Sequence, residues 1–218
     1  MSSESLGAED LRLAFRAIAT DLKGKCDQLR TLDAACGDGD LGITVDKGFT
    51  AIESKLDELE GDPPSRLLQS LGLTFNNAAA STFGVFFATA FMHAGKCIEG
   101  RDRIAVEDFA EMLKAAAEGI ATRGRANVGD RTILDALVPA CQAAEDAVGG
   151  GMGWHDVLSA AAIAAKEGAE NTVNLSPRVG RARWLGDQAK GVQDPGATFV
   201  QFFLEACRDA SQPSAGSE

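Results

Sequence analysis

Asp33-Ala34-Ala35-Cys36-Gly37-Asp38-Gly39-Asp40-Leu41-Gly42 places three carboxylates within eight residues, interleaved with three glycines and without a Lys or Arg among them. Carboxylates this close repel one another unless a cation or deep water compensates them. Hard oxygen ligands on a short loop suit Mg²⁺ or Ca²⁺, and Gly37, Gly39 and Gly42 let the backbone approach a ligand closely. A solvated acidic turn has the same composition, so the residues that follow decide. Val45, Phe49, Ile52, Leu56 and Leu59 recur at helical spacing. The pattern predicts an acidic loop that runs into a helix N-terminus at about residue 42, where backbone N–H groups face anions. Carboxylates for a divalent ion beside such a helix start are the chemistry of a nucleotide site. An EF-hand is excluded: counting from Asp38, position five is Gly42, position twelve is Phe49, and the bidentate Glu is missing.

The same period fills most of the chain. Leu11, Phe15, Ile18 and Leu22 form a stripe before the acidic loop. After it come Leu67, Leu68, Leu71 and Phe75, then Phe83, Phe86, Phe87 and Phe91 in a segment apolar nearly all round, which should be central and buried. Phe109, Leu113, Ala116 and Ile120 follow, then Ile133, Leu134, Leu137, Cys141 and Val148, then Trp154, Val157, Leu158, Ala161 and Ala165. Asp194 reads as an N-cap with Pro195 at the first helical position, opening a last stripe of Phe199, Phe203, Leu204 and Cys207. No alternating strand pattern is visible. The expectation is one all-α domain of about eight antiparallel amphipathic helices over residues 9–210, with frayed tails at 1–8 and 211–218.

At 218 residues the chain can bury one substantial core. Its net charge of −11 argues against nucleic acid and anionic membrane as partners, and no apolar run reaches membrane-spanning length. Cys26, Cys36, Cys97, Cys141 and Cys207 are an odd set without CxxC spacing, as expected of free thiols in a reducing cytoplasm. Cys36 sits among carboxylates that disfavour its thiolate, so it is not read as a nucleophile.

Three further stretches carry candidate chemistry. Gly129-Asp130-Arg131-Thr132 reads as another Gly-led helix start with Asp130 as cap, facing the same ligand. Residues 172–194, roughly, form a long unpatterned loop with Arg178, Arg181, Arg183 and Lys190, four cations within thirteen residues of an acidic chain. A solvated basic loop would look the same, but a local positive patch is what a polyphosphate wants. Asn77 to Gly84 is a run of small residues before the apolar segment, and it suits either helix packing or close approach of a nucleoside. His93 and His155 are read as structural or surface residues.

With these motifs in hand, the chain resembles the nucleotide-binding L subunit (DhaL-type) of dihydroxyacetone kinases, from about residue 10 to 208. Asp33-x4-Gly37-Asp38-Gly39-Asp40-x-Gly42 is similar to the family's metal loop, and Gly129-Asp130-Arg131-Thr132-Ile133-Leu134-Asp135 to its GD-K/R-T-M-L-D segment. Gly180-Arg181-Ala182-x-Trp184-Leu185-Gly186 with Gly191 and Asp194-Pro195-Gly196-Ala197 is similar to its lid segment. The resemblance implies a barrel of eight antiparallel helices with the nucleotide at one end. It implies that Asp33, Asp38 and Asp40 hold two Mg²⁺ ions bridging the phosphates of ATP or ADP. Leu41, Gly42, Ile43 and Thr44 would cradle phosphate; Thr82, Phe83, Gly124 and Ile133 would border the nucleotide; Asp194, Pro195 and Gly196 would cover it. Arg181 would cover it too and stabilise charge at the γ-phosphoryl as the catalytic residue. The hydroxy-ketone acceptor, dihydroxyacetone or a ketose such as erythrulose, would sit on a separate K subunit, making this chain half of a cytoplasmic kinase. The phosphoryl donor would be free ATP or a phosphotransferase-system protein acting on bound ADP. A homodimer stays open.

Two departures stand out. Phe83 occupies the position of a family Ser, and Gly186-Asp187-Gln188 replaces Gly-Glu-Arg. They leave room for a second reading, a nucleotide-occupied regulator that docks to another protein without chemistry of its own. A third reading is a structural Ca²⁺ loop on a plain helical interaction domain.

Overall fold

The computed structural model describes residues 5–180, 183 and 191–212. Among them are nine α-helices: α1 (Ala8–Gly24), α2 (Cys26–Cys36), α3 (Leu41–Lys55), α4 (Pro64–Ala78), α5 (Thr82–Cys97), α6 (Val106–Gly124), α7 (Leu134–Gly149), α8 (Trp154–Asn171) and α9 (Pro195–Ala210). Local chemistry fixes several starts. Ser81 Oγ accepts the Gly84 N–H at 3.0 Å to cap α5. Asp194 Oδ1 accepts the Ala197 N–H at 2.8 Å to cap α9, and Pro195 stands at its first position.

Eight of the helices close a ring. In order, α1, α3, α4, α5, α6, α7, α8 and α9 each pack on the next, and α9 packs back on α1. These eight are the eight apolar stripes of the sequence. Glycines report the antiparallel pairing, because each marks a spot where a side chain would collide with the neighbour. A Cβ on Gly72 would meet Ala88 and Phe91, one on Gly119 the His93 ring, and one on Gly168 the backbone of Asp135 and Ala136. The ninth helix, α2, stands off the ring and packs mainly on α3, with lighter contact to α9 and α1. Only Leu29 and Cys36 of α2 are buried, so its apolar seam is too sparse to register as a stripe. The eight-helix expectation is corrected to eight ring helices plus one.

The expectation of no strand is also corrected. Ser5–Gly7 (β1) pairs antiparallel with Arg103–Ala105 (β2), in register Leu6↔Ile104. Each strand runs straight into a helix whose third residue caps it. Asp10 accepts the Gly7 N–H at 2.8 Å, and Asp108 accepts the Ala105 N–H at 2.7 Å. Residues 5–7 therefore belong to the fold and not to a frayed tail; Leu6 is buried.

The ring's interior is aromatic on one side and alanine-rich on the other. Phe75, Phe87 and Phe91 stack with centroids 4.1 and 4.3 Å apart, and Phe49 meets Phe75 and Phe87 edge-on. On α7 and α8, Ala136, Ala140, Ala144, Ala161 and Ala165 are fully buried; small side chains let these two helices approach closely. An apolar cavity of about 180 Å³ lies among the phenylalanines. No described helix is long and apolar enough to cross a membrane.

Candidate functional site: a carboxylate-walled cleft at four helix starts

The last turn of α2 and the turn after it bring the three predicted aspartates together. Asp33, Asp38 and Asp40 each offer a carboxylate oxygen, all within 4.8 Å of one another. Asp33 and Cys36 belong to helix α2, so the loop proper is only residues 37–40. Gly39 takes φ 75°, which an L side chain rarely adopts. Asp33 Oδ2 also accepts the Leu41 N–H at 3.0 Å. Converging hard oxygens fit a divalent ion of the Mg²⁺ or Ca²⁺ type.

The aspartates form one wall of a cleft of about 580 Å³. The cleft lies at one end of the ring, where antiparallel order brings four helix N-termini together. Leu41 starts α3, Thr82 starts α5, Leu134 starts α7 and Pro195 starts α9, and all four residues line the cleft. Each helix start presents the positive end of its dipole; the first N–H groups of α7 are taken by Thr132 and Ile133 and those of α9 by Asp194, which leaves free donors at α3 and α5. An acidic protein thus has a concave site where four positive dipole ends converge, with a carboxylate cluster at its edge.

Most predicted site residues line this cleft: the three aspartates, Leu41, Thr82, Phe83, Gly124, Ile133, Asp194, Pro195 and Gly196. Gly42, Ile43 and Thr44 are not among the lining residues. Gly42 has a packing duty instead, since a Cβ there would overlap the Cys26 carbonyl oxygen of α2. Thr44 N–H is used within the helix, bonded to the Asp40 carbonyl at 2.9 Å. Arg181 lies outside the described residues, as do Ala182, Trp184, Leu185, Gly186, Asp187, Gln188 and Lys190.

Asp130 is not the cap of α7. Its carboxylate accepts the Asn127 N–H at 2.8 Å, while Asp135 takes the Gly129 and Thr132 N–H groups, both at 2.6 Å. Thr132 Oγ1 accepts the Leu134 N–H at 3.2 Å. The site also contains residues that the sequence reading assigned elsewhere or passed over. Phe86 and Ile120 were read as core, and they line the cleft beside Phe83 and Ile133. These same four side chains line the apolar cavity, so they form a wall between it and the cleft. Arg131, within a stretch that the sequence did flag, is buried in the cleft wall.

Two titratable groups of the wall are perturbed. Burial pushes the Asp194 carboxyl up from 3.8 to about 6; the Ala197 N–H and the Arg131 charge pull against this, and Asp135 adds to it. Burial, more than the neighbouring Asp194 and Asp33, raises the Cys36 thiol, while the Arg131 guanidinium opposes the rise. A protonated thiol agrees with its reading as a non-nucleophile. His155 Nδ1 lies 3.4 Å from Ser211 Oγ, but neither residue lines the cleft.

A ring of helices with clustered carboxylates at one end defines a family, and comparison identifies it. Residues 35–209 match the DAK2 domain, and the chain belongs to that family. Within it the chain is of the DhaL type. It is 30% identical over 179 residues to the PEP-dependent dihydroxyacetone kinase, ADP-binding subunit DhaL, of Escherichia coli, covering 82% of this chain and 85% of that subunit. It is 32% identical over 214 residues to the D-erythrulose kinase of Mycolicibacterium smegmatis, covering 97% of this chain but 37% of that enzyme. The fold matches the dihydroxyacetone kinase of C. freundii, solved in complex with AMP-PNP and Mg²⁺, with a TM-score of 0.72 at 26% identity over 96% of this chain and 35% of that one. The chain therefore spans most of the E. coli subunit and about a third of the longer kinases.

Proposed function

We propose that this chain is the nucleotide-binding subunit of a short-ketose kinase, binding ATP or ADP with Mg²⁺ in the cleft and passing the phosphoryl group to a hydroxy-ketone on a separate K subunit. The observation that carries the proposal is the convergence of four helix N-termini on a cleft edged by three carboxylates. The relatives' names, an ADP-binding subunit and an erythrulose kinase, point the same way.

Asp33, Asp38 and Asp40 would hold the metal, whose charge offsets that of the nucleotide phosphates. The four helix starts orient the phosphate oxygens through their dipoles, and those of α3 and α5 through N–H groups as well. Phe83, Phe86, Ile120 and Ile133 give the base and ribose an apolar floor. Asp194-Pro195-Gly196 closes the opposite side, where a Cβ on Gly196 would crowd the Asp194 carboxylate at 3.1 Å. Nothing here requires a nucleophile from the chain; catalysis is by positioning and charge neutralisation. Arg181 is proposed as the cation that meets the developing charge. The donor, free ATP or a phosphotransferase-system protein that rephosphorylates bound ADP, and the choice of ketose are properties of the partners.

The test is calorimetric titration of nucleotide-stripped protein with ADP, with and without Mg²⁺, repeated on Asp38→Ala. Mg²⁺-dependent binding that is lost in the variant is expected. Binding that is indifferent to both Mg²⁺ and Asp38 rejects the site. Adding a K subunit and dihydroxyacetone or erythrulose then separates a kinase subunit, which forms the phosphorylated ketose, from a nucleotide-bound docking protein, which does not.

A further inference from the structure

Arg131 differs from every other residue of the cleft. It is a long cation only 2% exposed, and its backbone holds φ 60°, a conformation L side chains rarely adopt. The surrounding turn braces it there, because Asp135 binds the N–H groups of Gly129 and Thr132 on either side. From this place Arg131 Nη2 donates to the Val192 carbonyl at 2.9 Å. Its charge also acts on Cys36, in the last turn of α2, and on Asp194, the cap of α9. The adjoining Asp130 carbonyl accepts the Arg178 N–H at 3.1 Å. One turn therefore grips the chain at 178 and again at 192, on either side of the cation-rich stretch.

We propose that Arg131 is a positioning residue for the nucleotide. It ties the wall that carries Asp33 to the wall formed by Asp194-Pro195-Gly196, and so fixes the width of the cleft between the metal cluster and the nucleotide cover. The inference rests on reading the cleft as a Mg²⁺-nucleotide site. An arginine suits this role better than a lysine, because a planar fork can hold two directions at once while an ammonium is a point charge. Arg131 needs no contact with the nucleotide to do this; it acts through the Val192 carbonyl and the Asp194 turn.

Arg131→Met and Arg131→Lys test it with two readouts on the full chain: Mn²⁺ binding alone by electron paramagnetic resonance, and ADP binding in the presence of Mg²⁺ by calorimetry. Arg131→Met should bind Mn²⁺ as the parent does and lose about 10- to 100-fold in Mg²⁺-ADP affinity, the range typical of residues that orient a site from behind its ligands. Arg131→Lys should recover part of that loss. If Arg131→Met does not fold, Arg131→Lys is compared directly with the parent, and weaker Mg²⁺-ADP binding at unchanged Mn²⁺ binding is the expected result. ADP affinity equal to the parent's overturns the proposal. So does a parallel loss of Mn²⁺ binding, which marks Arg131 as a general structural residue. A parent protein that binds Mn²⁺ but never ADP rejects the nucleotide reading itself, a result distinguishable from either outcome in the variants.

Discussion

The Asp33 carboxylate accepts the Leu41 N–H at 3.0 Å, so the end of the helix outside the ring caps the start of a ring helix. One side chain thus has two duties, a cap for α3 and a member of the carboxylate cluster. The two duties separate under substitution. Asp33→Asn keeps an oxygen that can accept the Leu41 N–H but loses the charge. Its apo stability should stay near the parent's while Mg²⁺-ADP affinity falls at least tenfold. Asp33→Ala should lose the cap as well, at about 1 kcal/mol. Urea unfolding of both variants without metal, beside the ADP titration, checks the separation. Equal stability of the Asn and Ala variants would sink the capping half of the argument.

The buried cap of α9 makes stability depend on pH. Asp194 has its carboxyl raised from 3.8 to about 6 in the folded chain, so between those values the folded state holds more protons than the unfolded one. Stability contributed by this group is full below about pH 4, falls as pH rises toward 6, and is flat above. Asp194→Asn can still accept the Ala197 N–H and does not titrate. The stability of the parent relative to this variant should decline from pH 4.5 to 6.5, by no more than about 3 kcal/mol at 1.36 kcal/mol per pKa unit. Chemical denaturation at several pH values measures the difference, and a flat difference across that range refutes the assignment.

Residue types carried the legible part of the chain. All eight ring helices have dense apolar stripes because each buries a face against two neighbours. Helix α2 escapes the pattern because it packs outside the ring with few buried side chains. The β1–β2 pair escapes because three-residue strands are too short to alternate. The aspartate cluster and the Asp194-Pro195 helix start were readable because charge and cap chemistry are local, whereas the place of Asp194-Pro195-Gly196 at the cleft came from the family resemblance. Phe86 and Ile120 were not, since a phenylalanine or isoleucine in a helical stripe looks the same whether it faces the core or a cleft. Ring closure alone brings the ends of α5 and α6 to the mouth of the barrel. Asp130 misled for a different reason: Asp and Gly at a helix start predict a cap, but the local turn over residues 127–130 uses that carboxylate on the Asn127 N–H instead.

Phe83 belongs to the apolar wall between the cleft and the interior cavity. Its ring is held edge-on against Phe199 at 4.7 Å and near Phe75 at 6.0 Å. Phe83→Ser, which restores the residue type of the resembled family, removes those contacts and leaves a gap in the wall. A loss of about 2–4 kcal/mol is expected, less than for a fully buried phenylalanine. The opened wall should also raise the fluorescence of an apolar dye such as anilinonaphthalene sulfonate with the protein still folded. A folded variant with unchanged dye binding would show that the remaining three side chains close the wall without it.

Gly42 is the second residue of α3, beside the carboxylates, where a glycine invites a phosphate-cradle explanation, but the structure gives it a different reason. An added Cβ would overlap the Cys26 carbonyl and press on the Arg30 backbone N–H at 3.1 Å, both of them main chain of α2. Backbone cannot rotate away as a flexible side chain can, so α2 must shift, and α2 carries Asp33. Alanine is the better helix former by about 1 kcal/mol, but overpacking of this kind costs about 1–3 kcal/mol. Gly42→Ala is therefore expected to be destabilised by up to about 2 kcal/mol and to weaken Mg²⁺-ADP binding through the displaced carboxylate. Gly24→Ala is the control, since a Cβ there meets nothing within 4 Å; it should leave binding unchanged and hold or raise stability. Urea unfolding and ADP titration of the pair separate the two explanations of Gly42. In a phosphate cradle, alanine would weaken nucleotide binding at unchanged stability; at a helix contact, both fall together.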